Sequence, residues 1–239
     1  MCIRDRAGEF RLIAPDQRGY NTSDKPEDVA AYALPALVED IMRLLPMVSA
    51  EPVILVAHDW GGPVGWLVAH DPAAHVRGFL STNGPHPLRI AALLESDPAQ
   101  QEASSYMAFF RTPLATDYLT VEVLREMFAG VLSAEELTVY EAAWSQPGAI
   151  DAGLNWYRAN ELSVGATDGL LAAPTVTVPT TVLWGLEDEA LLPQNAEGLE
   201  AYVDDLQVQT FEGVDHWIAH RVPEAIAQAI RDLHARIDP

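Results

Sequence analysis

The sequence holds one cysteine (Cys2) and one lysine (Lys25), and its 14 basic residues face 35 acidic ones. A lone cysteine cannot close an internal disulfide, so a reducing compartment, the cytoplasm, is expected. The formal net charge of −21 gives a surface that repels phosphate, which excludes nucleic acid and anionic membranes as partners. No apolar run approaches the roughly 18 residues needed to cross a bilayer. Internal repeats are missing, and so are low-complexity tracts apart from Ala-rich patches. What the chain does have is apolar content. Of its 239 residues, 49% are hydrophobic, too many for a disordered chain because burial can offset the entropy of ordering. The length fits one domain of about 150 to 250 residues, or at most two small ones.

Met1 to Arg6 (MCIRDR) lacks the apolar stretch and small-residue cleavage site of a signal peptide and belongs to no periodic element. These six residues are expected to be foreign to the gene, with the true N-terminal part missing. Phe10 to Asp16 (FRLIAPD) reads as a short strand closed by Pro15.

Helical spacing places Leu37, Ile41, Leu44, Leu45 and Val48 on one side of a helix from Leu34 to Val48. Pro52 to Ala57 (PVILVA) is apolar on both faces, as suits a central strand of a parallel sheet. Gly61, Gly62 and Gly65 open an apolar helix through Ala69, and Val76 to Ser81 returns as a strand. From Gly84 to about Thr175 the pattern is helical with clustered aromatics and no convincing strand. Strands resume at Thr180 to Trp184 and Leu206 to Phe211, with helices at Pro193 to Tyr202 and Pro223 to Ile237. Alternation of strand and helix means an α/β fold.

Val56-Ala57-His58-Asp59-Trp60-Gly61-Gly62 joins a buried strand to a helix, with small residues two positions either side of Asp59. A sharp turn there brings flanking backbone so close that only small side chains fit, and it pushes the central side chain out at the carboxyl edge of the sheet. That is a nucleophile elbow with Asp in place of the usual Ser; the plainer alternative is a helix cap. A carboxylate is already ionised at neutral pH and attacks a saturated carbon directly, giving an enzyme–substrate ester. Water activated by a histidine must then attack the carbonyl carbon of Asp59, with backbone N–H groups holding the oxyanion.

An acid and then a histidine should follow downstream. The strand ending Trp184-Gly185-Leu186-Glu187-Asp188 supplies the acid, and Gly213-Val214-Asp215-His216-Trp217 supplies the histidine. Both lie at carboxyl ends of strands, where α/β sheets build sites. Asp188 is the expected acid, although Glu187 or Glu189 could equally orient the imidazole, and Asp215 stands beside His216 as a competitor or as a solvated carboxylate.

Together these residues resemble the α/β-hydrolase superfamily, and specifically its epoxide hydrolase branch, related to haloalkane dehalogenases. The resemblance rests on the HDWGG elbow at His58–Gly62, on Ala14-Pro15-Asp16-Gln17-Arg18-Gly19-Tyr20 through Lys25-Pro26, and on Asn83-Gly84-Pro85-His86-Pro87. It implies a mostly parallel sheet flanked by helices, core segments at 7–84 and 176–239, and an all-helical lid inserted at 85–175. It also implies hydrolysis of a small apolar epoxide with water as the second reactant and without metal or organic cofactor. In this branch two lid tyrosines bond the epoxide oxygen, in surroundings Y-x-x-x-F-Q-x-P and L-N-[WY]-Y-R. Tyr106 to Pro113 matches the first except for Arg111 in place of Gln, and Leu154-Asn155-Trp156-Tyr157-Arg158 matches the second in full. Tyr106 and Tyr157 are the implied pair, Trp60 N–H the implied oxyanion donor, and Trp60, Phe109, Phe110 and Trp156 the implied substrate contacts.

Two departures stand out. No His-Gly pair occurs in the sequence, so the H-G-x-P loop that supplies the family's second oxyanion donor is lacking, and with it the expected first strands of the sheet. Asp215 replaces a usual Gly before the histidine. A haloalkane dehalogenase and a non-catalytic α/β-hydrolase scaffold remain the alternatives; Trp60 disfavours haloacetate dehalogenases, which carry Arg after the nucleophile.

Overall fold

The structure, a computed structural model, describes residues 9–167 and 169–238. The expectations for Met1 to Arg6, including Cys2, lie outside the described residues. Among the described residues four parallel strands pair in chain order: β1 (Val53–His58), β2 (Val76–Thr82), β3 (Thr180–Gly185) and β4 (Leu206–Phe211). Parallel neighbours require a crossover between them. Helix Gly61–Ala69 makes the first, a run of helices from Pro87 to Thr167 the second, and two short 3₁₀ turns, Pro193–Ala196 and Leu199–Ala201, the third.

The described residues form two compact units, one made from 9–12, 38–104, 162–167 and 169–238 and the other from 13–37 and 105–161. The first carries the sheet. On one face Leu45, Val68 and Val76 are buried with Ile41, Met42, Val53 and Leu55 around them. On the other, Leu80, Leu183, Ile218, Ile226 and Leu233 form a second cluster, against which Ile54 packs. Val53 and Leu55 thus face one way and Ile54 the other, the period-two alternation of a strand covered on both sides. Helices Pro87–Ser96, Pro98–Ala103 and Val164–Thr167 belong to this unit, although the lid drawn on chain order begins at residue 85.

The second unit is helical: Tyr106–Phe110, Leu114–Tyr118, Val121–Phe128, Ala134–Trp144 and Ala149–Ala159. Ser133 and Glu136 form a reciprocal capping box at the start of Ala134–Trp144, satisfying amides that no helical partner reaches. The buried Asn160 carboxamide donates to the carbonyls of Tyr32 (2.9 Å) and Trp156 (2.8 Å) and accepts from Leu34 N–H (2.8 Å). Among the described residues no helix is long and apolar enough to cross a membrane.

Helices Leu34–Val48 and Pro223–Ile237 and strand Leu206–Phe211 have the limits their periodicity predicts. Three expectations need correction. Phe10 to Asp16 forms no strand, because most of its side chains stay exposed and a strand exists only through the ladder it shares with a neighbour. The apolar run at β1 lies at the edge of the four-stranded sheet rather than its centre, leaving Val56 46% exposed. Pro193 to Tyr202 is not one helix: Gly198 takes φ +72°, a left-handed conformation that stops helical propagation and leaves two 3₁₀ turns.

Candidate active site

At the end of β1 the chain turns through Asp59, which adopts φ +50°, a left-handed conformation that a residue with a Cβ occupies only at a cost. The turn is closed by a 2.7 Å hydrogen bond from Gly62 N–H to the Asp59 carbonyl. Its tightness depends on Gly62: a Cβ there would lie 2.4 Å from the Cα of Gly84, backbone that cannot step aside. The consequence is a half-buried Asp59 whose carboxylate is presented at the sheet edge and accepts a hydrogen bond from Trp60 N–H. Trp60 itself is 8% exposed.

The acid and the histidine come to the same edge. Asp188 follows β3 and is 2% exposed, whereas Glu187 and Glu189 are exposed. Its Oδ2 lies 2.7 Å from His216 Nδ1, and since a carboxylate only accepts, Nδ1 carries the proton. Its Oδ1 accepts from Ala190 N–H and Leu191 N–H, both at 2.9 Å. His216 Nε2 is 3.4 Å from Asp59 Oδ1. The imidazole therefore spans the two carboxylates, one on each nitrogen. Asp215 turns away: Arg221 donates to it from Nε (3.0 Å) and from a second guanidinium nitrogen (2.7 Å), and Trp217 N–H donates to its other oxygen.

Two residues at this site had no role in the sequence reading. His58, next to Asp59, donates from Nε2 to the His216 carbonyl at 2.9 Å, tying the elbow to the histidine loop. Asn83, after β2, is fully buried and donates from Nδ2 to Asp188 Oδ2 at 2.7 Å. Its φ of +39° and the following Gly84 give the only sequence hint, since Asn-Gly marks a turn in which left-handed backbone is tolerated.

Charge follows from this geometry. Burial disfavours charge on Asp59, but the hydrogen bond and positive charge of His216 outweigh it and bring the carboxyl down to about 2. Burial likewise opposes protonation of His216, and its hydrogen bonds to Asp188 and Asp59 prevail, raising it to about 10. His58 moves the other way, lowered by burial first and by the neighbouring His216 second. Both shifts favour a protonated His216 beside an ionised Asp59.

The second unit brings the two tyrosines together. Tyr106 and Tyr157 have ring centroids 6.2 Å apart, and Phe110 lies edge-on to both, at 5.3 Å from Tyr106 and 5.0 Å from Tyr157. Arg111, at the position where the related motif has Gln, donates to the carbonyls of Tyr157 (3.0 Å) and Asn160 (3.2 Å). Phe109 is 36% exposed beside Tyr118. Trp156 is 1% exposed, with its indole N–H on the Arg18 carbonyl at 3.0 Å. Among the described residues no cluster of three or more His, Cys, Asp and Glu side chains is arranged to hold a metal ion.

Known proteins resemble this chain in sequence and in fold. AB hydrolase superfamily protein YfhM of Bacillus subtilis is 35% identical over 92% of this chain and 79% of its own length. Epoxide hydrolase 4 of Mus musculus is 30% identical over 94% of this chain, which spans only 65% of that relative's length. A crystal structure of Bacillus megaterium epoxide hydrolase in complex with an inhibitor superposes with a TM-score of 0.89 at 27% identity, covering 98% of this chain and 87% of that one. The family pattern described as alpha/beta hydrolase fold matches residues 3–220, and the chain belongs to that family.

Proposed function

We propose that the chain is an epoxide hydrolase working through a covalent ester on Asp59. The observation that carries this reading is the His216 imidazole held between Asp188 at 2.7 Å and Asp59 at 3.4 Å. An aspartate at a strained elbow, with a histidine on one side and no hydroxyl nucleophile between them, suits displacement at carbon rather than acyl transfer. The epoxide hydrolases among the relatives point the same way.

In the first step an Asp59 oxygen attacks an epoxide carbon, forming an ester C–O bond as the ring C–O bond breaks. The ring oxygen leaves as an alkoxide, a poor leaving group, and takes a proton from Tyr106 or Tyr157. In the second step, with the charge of Asp59 lost to the ester, the His216 imidazolium passes its proton through solvent to the tyrosinate; the neutral imidazole then removes a proton from water, and the hydroxide adds to the carbonyl carbon of Asp59. Trp60 N–H bonds the resulting oxyanion, which collapses to restore the carboxylate and release the diol. The proton of the added hydroxyl leaves with the alkoxide, and His216 ends protonated as it began, so the sum is epoxide plus water to vicinal diol. Asp188 orients and stabilises the imidazolium. Phe109, Phe110, Trp60 and Trp156 are the apolar side chains assigned to substrate binding, and 85–175 is assigned as the lid between core segments 7–84 and 176–239.

Incubation with styrene oxide, followed by intact-mass measurement, tests the reading. The expected result is diol formation and a mass increase of one substrate on the wild type, absent from Asp59→Ala and accumulating in His216→Gln. Neither diol nor adduct would overturn it. Chloride or bromide release from haloalkanes without epoxide turnover would favour the dehalogenase reading instead.

A further inference from the structure

We propose that Asn83 is a positioning residue for the acid of this site, locking Asp188 to the elbow that carries Asp59. The inference rests on the epoxide hydrolase reading for its kinetic consequence, though its geometry stands alone. Asn83 takes φ +39° and is fully buried. A left-handed conformation at a residue with a Cβ persists only where surrounding contacts over-determine it, and those contacts are visible. Asn83 N–H donates to the Leu183 carbonyl at 3.0 Å. Its side-chain Oδ1 accepts from Gly185 N–H at 2.9 Å, which leaves the Nδ2 hydrogens to face the Gly185 carbonyl (3.4 Å) and Asp188 Oδ2 (2.7 Å).

The amide orientation is therefore dictated by its partners. One end must accept from Gly185 and the other must donate to a carboxylate, so only an amide of this length serves both. Asp188 Oδ2 then receives two donors, Asn83 and His216, while Oδ1 receives two backbone amides. Without Asn83 the carboxylate keeps its backbone anchors but loses the partner that sets which way Oδ2 faces the imidazole. The next residue, Gly84, packs against the elbow: a Cβ on Gly84 would be 2.8 Å from Gly62 Cα. The Ser81 hydroxyl (2.7 Å) and Trp66 indole N–H (3.0 Å) both hold the Gly84 carbonyl. One dipeptide thus fixes the nucleophile turn on one side and the acid on the other.

Two variants separate this role from backbone support. Asn83→Gly keeps the left-handed backbone and removes the amide; Asn83→Asp keeps the shape and the acceptor for Gly185 and sets oxygen against oxygen at Asp188. Two readouts apply: the low-field proton resonance of His216 Nδ1–H, and the separate rates of Asp59 alkylation by styrene oxide and of ester hydrolysis. In both variants we expect hydrolysis to slow by up to about 10²-fold, alkylation to stay within about twofold, and the low-field resonance to shift or broaden. A folded Asn83→Gly or Asn83→Asp with unchanged resonance and hydrolysis overturns the proposal, as does equal slowing of both steps. Should the wild type form no adduct, the enzymatic reading fails, while the resonance still decides whether Asn83 positions the pair.

Discussion

His216 Nε2 lies 3.4 Å from Asp59 Oδ1, so the residue proposed to activate water shares an ion pair with the residue whose ester that water must cleave. The pair holds Asp59 ready for attack, at about 2, and His216 protonated, at about 10. In the proposed mechanism esterification removes the negative charge of Asp59, and with it one of the two partners that favour a protonated imidazole. On that proposal His216 acts as a base only after the ester has formed. Asp59→Asn, a neutral stand-in for the ester, should lower the titration midpoint of His216 relative to wild type in NMR pH titrations. In single-turnover experiments alkylation should be flat between about pH 5 and 9, since Asp59 is ionised throughout, while ester hydrolysis falls on the acid side. An unchanged His216 midpoint in Asp59→Asn refutes the switch.

The same pair makes stability depend on pH in opposite directions at the two extremes. His216 is raised from 6.5, so its contribution is complete below that value and is lost as pH climbs toward about 10. Asp59 is lowered from 3.8, so its contribution is complete above that value and is lost as pH falls toward about 2. Thermal unfolding should therefore show a Tm that declines from neutral pH into the alkaline range, and a shallower decline in His216→Gln. Parallel Tm profiles for the two proteins would remove this pair as the cause.

Two glycines forecast opposite effects of the same substitution. Gly62→Ala drives a methyl to 2.4 Å from Gly84 Cα, and overpacking of this kind costs about 1–3 kcal/mol, more where backbone must yield. Gly153, inside helix Ala149–Ala159, has nothing within 4 Å of a built Cβ, so Gly153→Ala should stabilise by up to about 1 kcal/mol. Urea unfolding of both variants checks the sign as well as the size.

Arg111 substitutes a cation for an amide at the end of the helix that carries Tyr157. Its guanidinium bonds the Tyr157 and Asn160 carbonyls, where a positive charge also favours the negative end of the helix dipole. Arg111→Ala should lower stability by roughly 1 kcal/mol, and Arg111→Gln should recover part of that loss, both read from denaturant midpoints. Equal midpoints for all three proteins would show that the bonds to the last turn carry no net stability.

A further expectation concerns the balance of the two proposed steps. The resemblance implies a second oxyanion donor in an H-G-x-P loop, the 239 residues contain no His-Gly pair, and one such donor is typically worth about 10² to 10³ in rate. The 239-residue chain should accordingly accumulate the Asp59 adduct, alkylating faster than it hydrolyses. Rapid multiple turnover of styrene oxide with no adduct at any time point would contradict this.

Local order carries what was readable in the sequence. The elbow at His58–Gly62, the helices at Leu34–Val48 and Pro223–Ile237, and the strand at Leu206–Phe211 each follow from neighbours a few residues away: apolar period, proline at a helix start, glycine at a tight turn. Phe10 to Asp16 has the composition of a strand too, but composition cannot supply a ladder partner. Sequence order likewise put an acid before a histidine without saying which of Glu187, Asp188, Glu189 or Asp215 meets the ring. Tertiary structure decided that, by burying Asp188 against Ala190 and Leu191 amides, exposing its two neighbours, and giving Asp215 to Arg221. Asn83 shows the same limit: it is 105 residues from Asp188 in the chain and 2.7 Å away in space. The sequence by itself determined the chemistry available, a carboxylate at a sharp turn with a histidine downstream. Which donor faces which acceptor was decided only when parallel strands brought the four loops carrying Asp59, Asn83, Asp188 and His216 to one edge, because hydrogen bonds act over less than about 3.5 Å and depend on direction.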